Sequence, residues 1–406
     1  MILDDKIDQI RSQYDILQDN VYFMSAAVGP AGNYWLDAIK GYLEGLRLGD
    51  REQGLRVHMH REQFARQGNA KLINADEDEV TNSYRVMAAA NFVINNLVHF
   101  EKGDNVVFSD LTYPSITYIL LALRQKGVEL RRIENVNGEV QLSEYEKVID
   151  HKTKLVCVCR TTPWCGFTQN VKKLCEIAHA HNAYVFDDAM QAVGVTEIDV
   201  HDDDVDFLVS GSYKWQCGPE GAGLLYVRRD LIEKLDAGYS NYLTAQYPDS
   251  CPIMGPDGHD NIAHWDYPPA NTADKFNLGQ CTGEALVGWE ATLAFLHGME
   301  IPKIANRVNE LGSYLIAQLQ EAGCKVLTPV EADKRHGLIV YTNGSLDKDR
   351  EVAQALSMAN PKPVKVSTCS LGGIEGIRVA ANFFNTKADI GALIDAQKAW
   401  LKTGKC

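Results

Sequence analysis

No apolar run in the 406-residue chain comes near the ~20 residues that a bilayer-spanning helix needs; Tyr118–Leu123 is among the longest. Positive charge is scarce as well. Forty Lys and Arg stand against 54 Asp and Glu, a formal net charge of −14. Nucleic acid and anionic membranes both require clustered basic surface, so neither is an expected partner. The opening Met1-Ile2-Leu3-Asp4-Asp5-Lys6 shows no basic stretch leading into an apolar one. A signal peptide is therefore not expected, and a cytoplasmic location is. Repeats, low-complexity tracts and long linkers are missing too. What remains is ordinary: 45% hydrophobic and 23% charged residues, a balance that excludes a disordered, collagen-like or disulfide-stapled chain. The length fits one large domain and a smaller one.

Ten cysteines in a long intracellular chain read as reduced thiols. Cys157-x-Cys159…Cys165 invites a metal reading. Lys154–Cys159, however, has the look of a buried strand, where Cys behaves as a small apolar residue. No second pair of closely spaced ligands follows, so no metal site is expected. Asn343-Gly-Ser345 matches a glycosylation acceptor and, without secretion, reads as a turn.

The first 30 or so residues predict a helix and an extended arm ending at Ala26-Ala-Val-Gly-Pro30, followed by an amphipathic helix from about Trp35 to Leu48. From about 79 to 228, short β-rich runs alternate with helical stretches. Val106–Phe108 precedes a helix starting near Pro114, and Lys154–Cys159 precedes one over Val171–His181. Ala183–Phe186, Asp206–Val209 and Gly223–Val227 follow. Strands separated by such helices predict an α/β fold with a mostly parallel sheet covered on both faces. Ligands bind outside the carboxyl ends of such strands. A long helix, about Gly283–Leu296, leads to an α+β portion with a helix over Ile304–Glu321, strands at Gly337–Tyr341 and Ile377–Ala380, and a final helix over Lys387–Trp400.

Two segments carry chemistry. Asp206-Phe-Leu-Val-Ser-Gly-Ser-Tyr-Lys214-Trp-Gln-Cys-Gly-Pro-Glu-Gly-Ala-Gly223 delivers a lysine from a strand into a glycine-rich turn. Burial at a strand end would depress its pKa and make the amine nucleophilic; taken alone, it reads rather as a surface lysine beside a hairpin. Tyr184-Val-Phe-Asp187-Asp188-Ala-Met-Gln191 places two carboxylates at the end of an apolar strand. An Asp with a Gln three residues later, ahead of a strand-end lysine, suits a pyridine cofactor. The carboxylate would pair with the ring nitrogen and the amide would reach the phenolic oxygen.

With Gly376-Ile-Arg378-Val-Ala-Ala-Asn-Phe-Phe-Asn385-Thr386 near the C-terminus, these segments resemble the class V aminotransferase-fold enzymes that depend on pyridoxal 5′-phosphate (PLP). The Tyr-Lys-Trp…Gly-Pro-x-Gly-x-Gly form is most similar to the cysteine desulfurase and isopenicillin N epimerase-like branch. The resemblance runs from the N-terminal arm to the Asn-Thr motif. It implies fold type I, with a seven-stranded, mostly parallel sheet in a large domain at 31–285, a smaller α+β domain at 286–406 and an arm at 1–30 packing on the latter. It further implies a homodimer, with Phe276–Thr282 able to reach across.

Residue by residue, the resemblance makes Lys214 the Schiff-base lysine and general base, and Asp188 the partner of the pyridine nitrogen, with Asp187 as its neighbour. Gln191 would lie near the phenolic oxygen and Tyr113 would stack on the ring. Ala90 and Asn91, in a loop entering a helix, would contact the phosphate together with Ser212. Arg378 would hold the substrate carboxylate. Tyr213, Gly211, Gln280 and Pro163 stand where related enzymes often carry other residues. The implied reaction passes through an external aldimine and an α-carbanion of an amino acid. β-Elimination or carbon–sulfur cleavage is expected first, with an epimerase, an aminotransferase or a catalytically silent PLP-binding protein as alternatives. Cys369, nine residues before Arg378 on what reads as a mobile loop, is expected to be a rim residue rather than a persulfide-forming nucleophile. His58 and His60 read as surface residues on an early helix, and His179 and His181 as a helix end.

Overall fold

The computed structural model describes residues 3–48, 54–236, 242–246 and 268–403. Seven strands form the larger sheet: β1 (Val80–Ser83), β2 (Asn105–Ser109), β3 (Glu129–Ile133), β4 (Thr153–Cys159), β5 (Tyr184–Asp188), β6 (Phe207–Gly211) and β7 (Gly223–Val227). Their order is β1-β7-β6-β5-β4-β2-β3, and β7 alone among them runs against the rest. The inner strands are largely apolar because both faces are covered. Val107, Val156, Val185 and Leu208 enter one core, while Val106, Leu155, Phe186 and Phe207 enter the other.

Helices α1 (Asn33–Arg47) and α2 (Gly54–Leu72) precede the sheet. Two more follow β1 and β2: α3 (Val86–Phe92) and α4 (Pro114–Ala122), whose first residue is a proline with φ preset for helix entry. The helix α5 (Val171–His179) crosses from β4 to β5 and is capped by Asn170, whose side chain accepts from Lys173 N at 3.0 Å. The chain order turns back between β2 and β4. In an open parallel sheet that is where a crevice opens at the carboxyl edge.

Then α6 (Gly283–Met299) packs along α1 and α2 and places Trp289 and Leu293 in the same core as Val156. The expected division at 285/286 falls in the first turn of this helix. The chain changes direction at Glu300, which has φ 66°, and enters α7 (Ile301–Glu321). A second, antiparallel sheet follows. Its strands are β8 (Lys325–Val326), β9 (Leu338–Thr342), β10 (Ser367–Leu371) and β11 (Ile374–Ala380), in the order β10-β11-β9-β8. The helices α8 (Leu346–Leu356) and α9 (Lys387–Thr403) pack against one another in this part. Ser345 caps α8, which makes the Asn343-Gly-Ser345 motif a helix entry.

The N-terminal arm joins both sheets. Val21–Tyr22 pairs in parallel with Val364–Lys365, and Phe23 O accepts from Ala380 N at 2.9 Å. Further on, Gly29 N donates to Tyr213 O at 2.7 Å, and a Cβ at Gly29 would collide with the Lys214 carbonyl. Only glycine permits so close a backbone approach.

Candidate active site

The carboxyl ends of β2, β4, β5 and β6 surround a cavity of about 350 Å³. Side chains alternate along a strand, and the two aspartates at the end of β5 therefore part company. Asp188 faces the cavity. Its Oδ1 accepts from Met190 N at 3.1 Å, and Cys159, opposite it in the β4–β5 register, offers its thiol to Oδ2 at 3.8 Å. Burial raises the Asp188 pKa against the opposing pull of the Lys214 ammonium. Asp187 points the other way, into an ion pair with Arg160 (Nε 2.7 Å, Nη2 2.6 Å), which also holds Asp203 at 2.7 Å. Burial still pushes Asp187 up to about 6.

Lys214 follows β6 and is 9% exposed, with Nζ 5.6 Å from the centroid of the Tyr113 ring. Burial, aided by Arg378 and opposed by Asp188, pushes its pKa down to about 8. Its turn is tightly held. Cys217 takes the left-handed region (φ 57°) and donates its N–H to Lys214 O at 3.1 Å, while Asn382 Nδ2 donates to Trp215 O at 3.1 Å. A neutral amine attacks carbonyls and an ammonium does not. The capture rate of PLP by the cofactor-free protein should therefore rise roughly tenfold per pH unit up to about pH 8 and level off above it. Stopped-flow absorbance reads this directly; a rate still climbing at pH 10 would show an ordinary lysine.

Tyr113 and Gln191 also line the cavity. The Tyr113 ring lies nearly parallel to that of Trp164 (14°, centroids 6.4 Å apart). Gln191 is buried between Ala26 O and the Trp215 indole. Arg378, on β11, donates from Nε to Ser367 Oγ at 3.0 Å and from Nη1 to Pro163 O at 3.1 Å. Its Nη2 finds no acceptor among the described residues, and Pro163 is part of the cavity wall.

The expected phosphate contacts need correction. Ala90 is wholly buried in the core inside α3, and Asn91 is exposed on that helix, where its Oδ1 accepts from Asn95 Nδ2. Neither lines the cavity. The helix begins earlier, and Tyr84, Arg85, Val86 and Met87 reach the cavity instead. The N–H groups of a first helical turn have no intrahelical acceptor, which suits an anion there. Ser212 does not line the cavity either. Its hydroxyl is buried against the carbonyls of Pro219 and Ala222, on the side of the turn away from the cavity, while Gly211 and Tyr213 line it.

Cys369 is not on a mobile loop. It lies within β10 opposite Gly376, 5% exposed, and its thiol donates to Trp164 O at 3.3 Å; burial pushes its pKa up to about 11. Cys157 is core, and Cys165 donates to Gly138 O at 3.0 Å, as a buried strand and its turn require. His60 is exposed and the His58 side chain lies outside the described residues. His179 ends α5 between Asp204 and Asp206. His181 is exposed just beyond it. Cys159, Trp164 and Asn382 were missed; the strand register of the first and the Asn-Phe-Phe-Asn motif of the last were the available signals.

Residues 21–393 match the family described as aminotransferase class-V. The chain belongs to the class V aminotransferase family. This class V protein is 25% identical over 388 residues to the uncharacterized aminotransferase YcbU of Bacillus subtilis, covering 96% of each chain. It is 31% identical over 235 residues to a probable cysteine desulfurase of Methanothermobacter thermautotrophicus, 57% of this chain and 58% of that one. The solved apo cysteine desulfurase of Thermococcus onnurineus shares the fold, with a TM-score of 0.82 at 20% identity over 97% of this chain and 98% of that one. The fold is that of the fold type I PLP-dependent enzymes, and PLP is the cofactor of this class V enzyme. The cavity fits it. An acid, an amine with its pKa pushed down to about 8, an amide and helix N–H groups suit in turn its ring nitrogen, aldehyde, phenolic oxygen and phosphate.

Proposed function

We propose that this enzyme is a carbon–sulfur lyase that carries out β-elimination on a cysteine-like α-amino acid, as a cytoplasmic homodimer. The observation that carries the reading is Lys214, an amine depressed to about pKa 8, sharing one buried cavity with Asp188. The relative named a probable cysteine desulfurase supports the choice of a carbon–sulfur bond. When bound, PLP supplies an electron sink for the α-carbon.

The chain's own groups do the rest. Arg378 offers its Nη2 to the substrate carboxylate and so orients the α-hydrogen. Lys214 Nζ removes that hydrogen as a proton. The electron pair of the broken C–H bond forms the Cα–Cβ double bond, and the thiolate leaves Cβ with the electrons of the C–S bond. The proton on Lys214 is then available to the departing sulfur. Asp188 keeps the ring nitrogen protonated throughout, a role its carboxylate can fill because Met190 N–H and the Cys159 thiol hold it in place.

Cys369 does not take up the sulfur, because it is a buried neutral thiol and thiols in that state are poor nucleophiles. Incubation with L-cysteine should yield sulfide and pyruvate in equal amounts, and Cys369→Ala should keep the rate within about twofold of the wild type. Amino transfer to a keto acid without sulfide would favour the aminotransferase reading, which the similarity to YcbU also supports. Epimerisation would appear as α-proton exchange with no sulfide. No spectral change with any amino acid would leave a cofactor-binding protein. Dimer formation is supported by Leu43 and Leu46 on α1 with Leu48 beyond it, all exposed, and light scattering would measure it. Eight reduced cysteines among the described residues suit a reducing compartment.

A further inference from the structure

Gln191 is gripped from two sides. Trp215 Nε1 donates to its Oε1 at 2.7 Å, and its Nε2 donates to Ala26 O at 3.0 Å. An indole N–H only donates and a carbonyl only accepts. Both neighbours therefore agree on which end of the amide is oxygen. Turned over, the amide would set NH₂ against the indole N–H and oxygen against the Ala26 carbonyl, leaving two buried polar groups unpaired. In the observed orientation Nε2 carries a second hydrogen, which has no acceptor among the described residues, and Gln191 lines the cavity.

The indole cannot swing away. Trp215 is 1% exposed, the His336 ring meets it edge-on at 4.6 Å and 87°, and its carbonyl is held by Asn382 Nδ2. We propose that Trp215 is a positioning residue whose N–H, together with the Ala26 carbonyl, sets which way round the Gln191 amide lies, making the cavity end of that side chain a hydrogen-bond donor. The inference rests on the reading that Gln191 faces the phenolic oxygen of PLP. A donor at that oxygen stabilises its anion and weakens its hold on the neighbouring proton at Lys214 Nζ. Loss of the donor therefore raises the pH at which that proton leaves.

The test is the pH midpoint of the visible absorbance of the PLP-loaded enzyme. Trp215→Phe should move it upward by about half to one pH unit, the scale of one ordinary hydrogen bond. Gln191→Glu, whose carboxylate has no N–H for the cavity, should move it the same way, and the double variant should move no further than either alone. Where Trp215→Phe folds poorly, 3-benzothienylalanine incorporated at position 215 keeps the ring shape and removes only the donor; the same shift is expected. An unchanged midpoint with that analogue, beside a shifted Gln191→Glu, overturns the proposal, as do shifts that add in the double variant. An unchanged midpoint in Gln191→Glu itself overturns the reading beneath it, that Gln191 faces the cofactor.

Discussion

Lys214→Ala is expected to lower turnover of any amino-acid substrate by on the order of 10³-fold or more, because nucleophile and base are lost together. Borohydride reduction of the wild-type holoenzyme followed by digestion should place a pyridoxyl group on the peptide carrying residue 214, and the variant should carry none. An adduct at another lysine would refute the assignment. The fold should survive. Lys214 titrates near 8 in the folded chain instead of at its ordinary 10.5, so its charged form is penalised by burial at every pH below about 8. Removing it takes that penalty away, and the melting temperature at pH 7 should not fall. A variant that is both inactive and unfolded would point to a structural lysine.

Asp188→Asn should lose about 10²–10³ in kcat, the scale of removing one preorganised electrostatic partner from a buried site. The amide keeps the shape and can still accept from Met190 N–H, so the cofactor should be retained in part. A neutral amide cannot hold the ring nitrogen in its charged form. KM should change little, since Arg378 holds the other end of the substrate. The variant has a second signature. Asp188 raises the Lys214 pKa by its charge, so in Asp188→Asn the pH at which PLP capture levels off should move below 8. Wild-type kcat with an unmoved capture profile would remove Asp188 from the chemistry.

Both residues were legible in the sequence, and for one reason. Parallel strands buried on two faces leave near-continuous apolar runs, and a charged residue ending such a run stands out. The helices were legible too: the amphipathic stretch expected over Trp35–Leu48 is α1, and that expected over Ile304–Glu321 is the main part of α7. What failed was direction at single-residue scale. Ser212 and Gly211 are neighbours, yet only one faces the cavity, because a turn after a strand end reverses sides without a sequence signature. Ala90 and Asn91 were misplaced because the run Val86–Ala90 carries no capping residue to mark where the helix begins. The stretch around Cys369 is a strand rather than a mobile loop, and Gly372 and Gly373 (φ 59° and 75°) form the tight turn of the β10–β11 hairpin.

One side chain ties the molecule together. Asn382 Nδ2 lies within 3.2 Å of Ser25 Oγ and 3.1 Å of Trp215 O, and also approaches the Cys217 sulfur. These stretches are far apart in order of synthesis: the first emerges early, the second midway and the last near the end. The turn that presents Lys214 gains this last anchor only once residue 382 has been made. A polypeptide truncated before that point lacks one of the hydrogen bonds that hold the turn carrying Lys214.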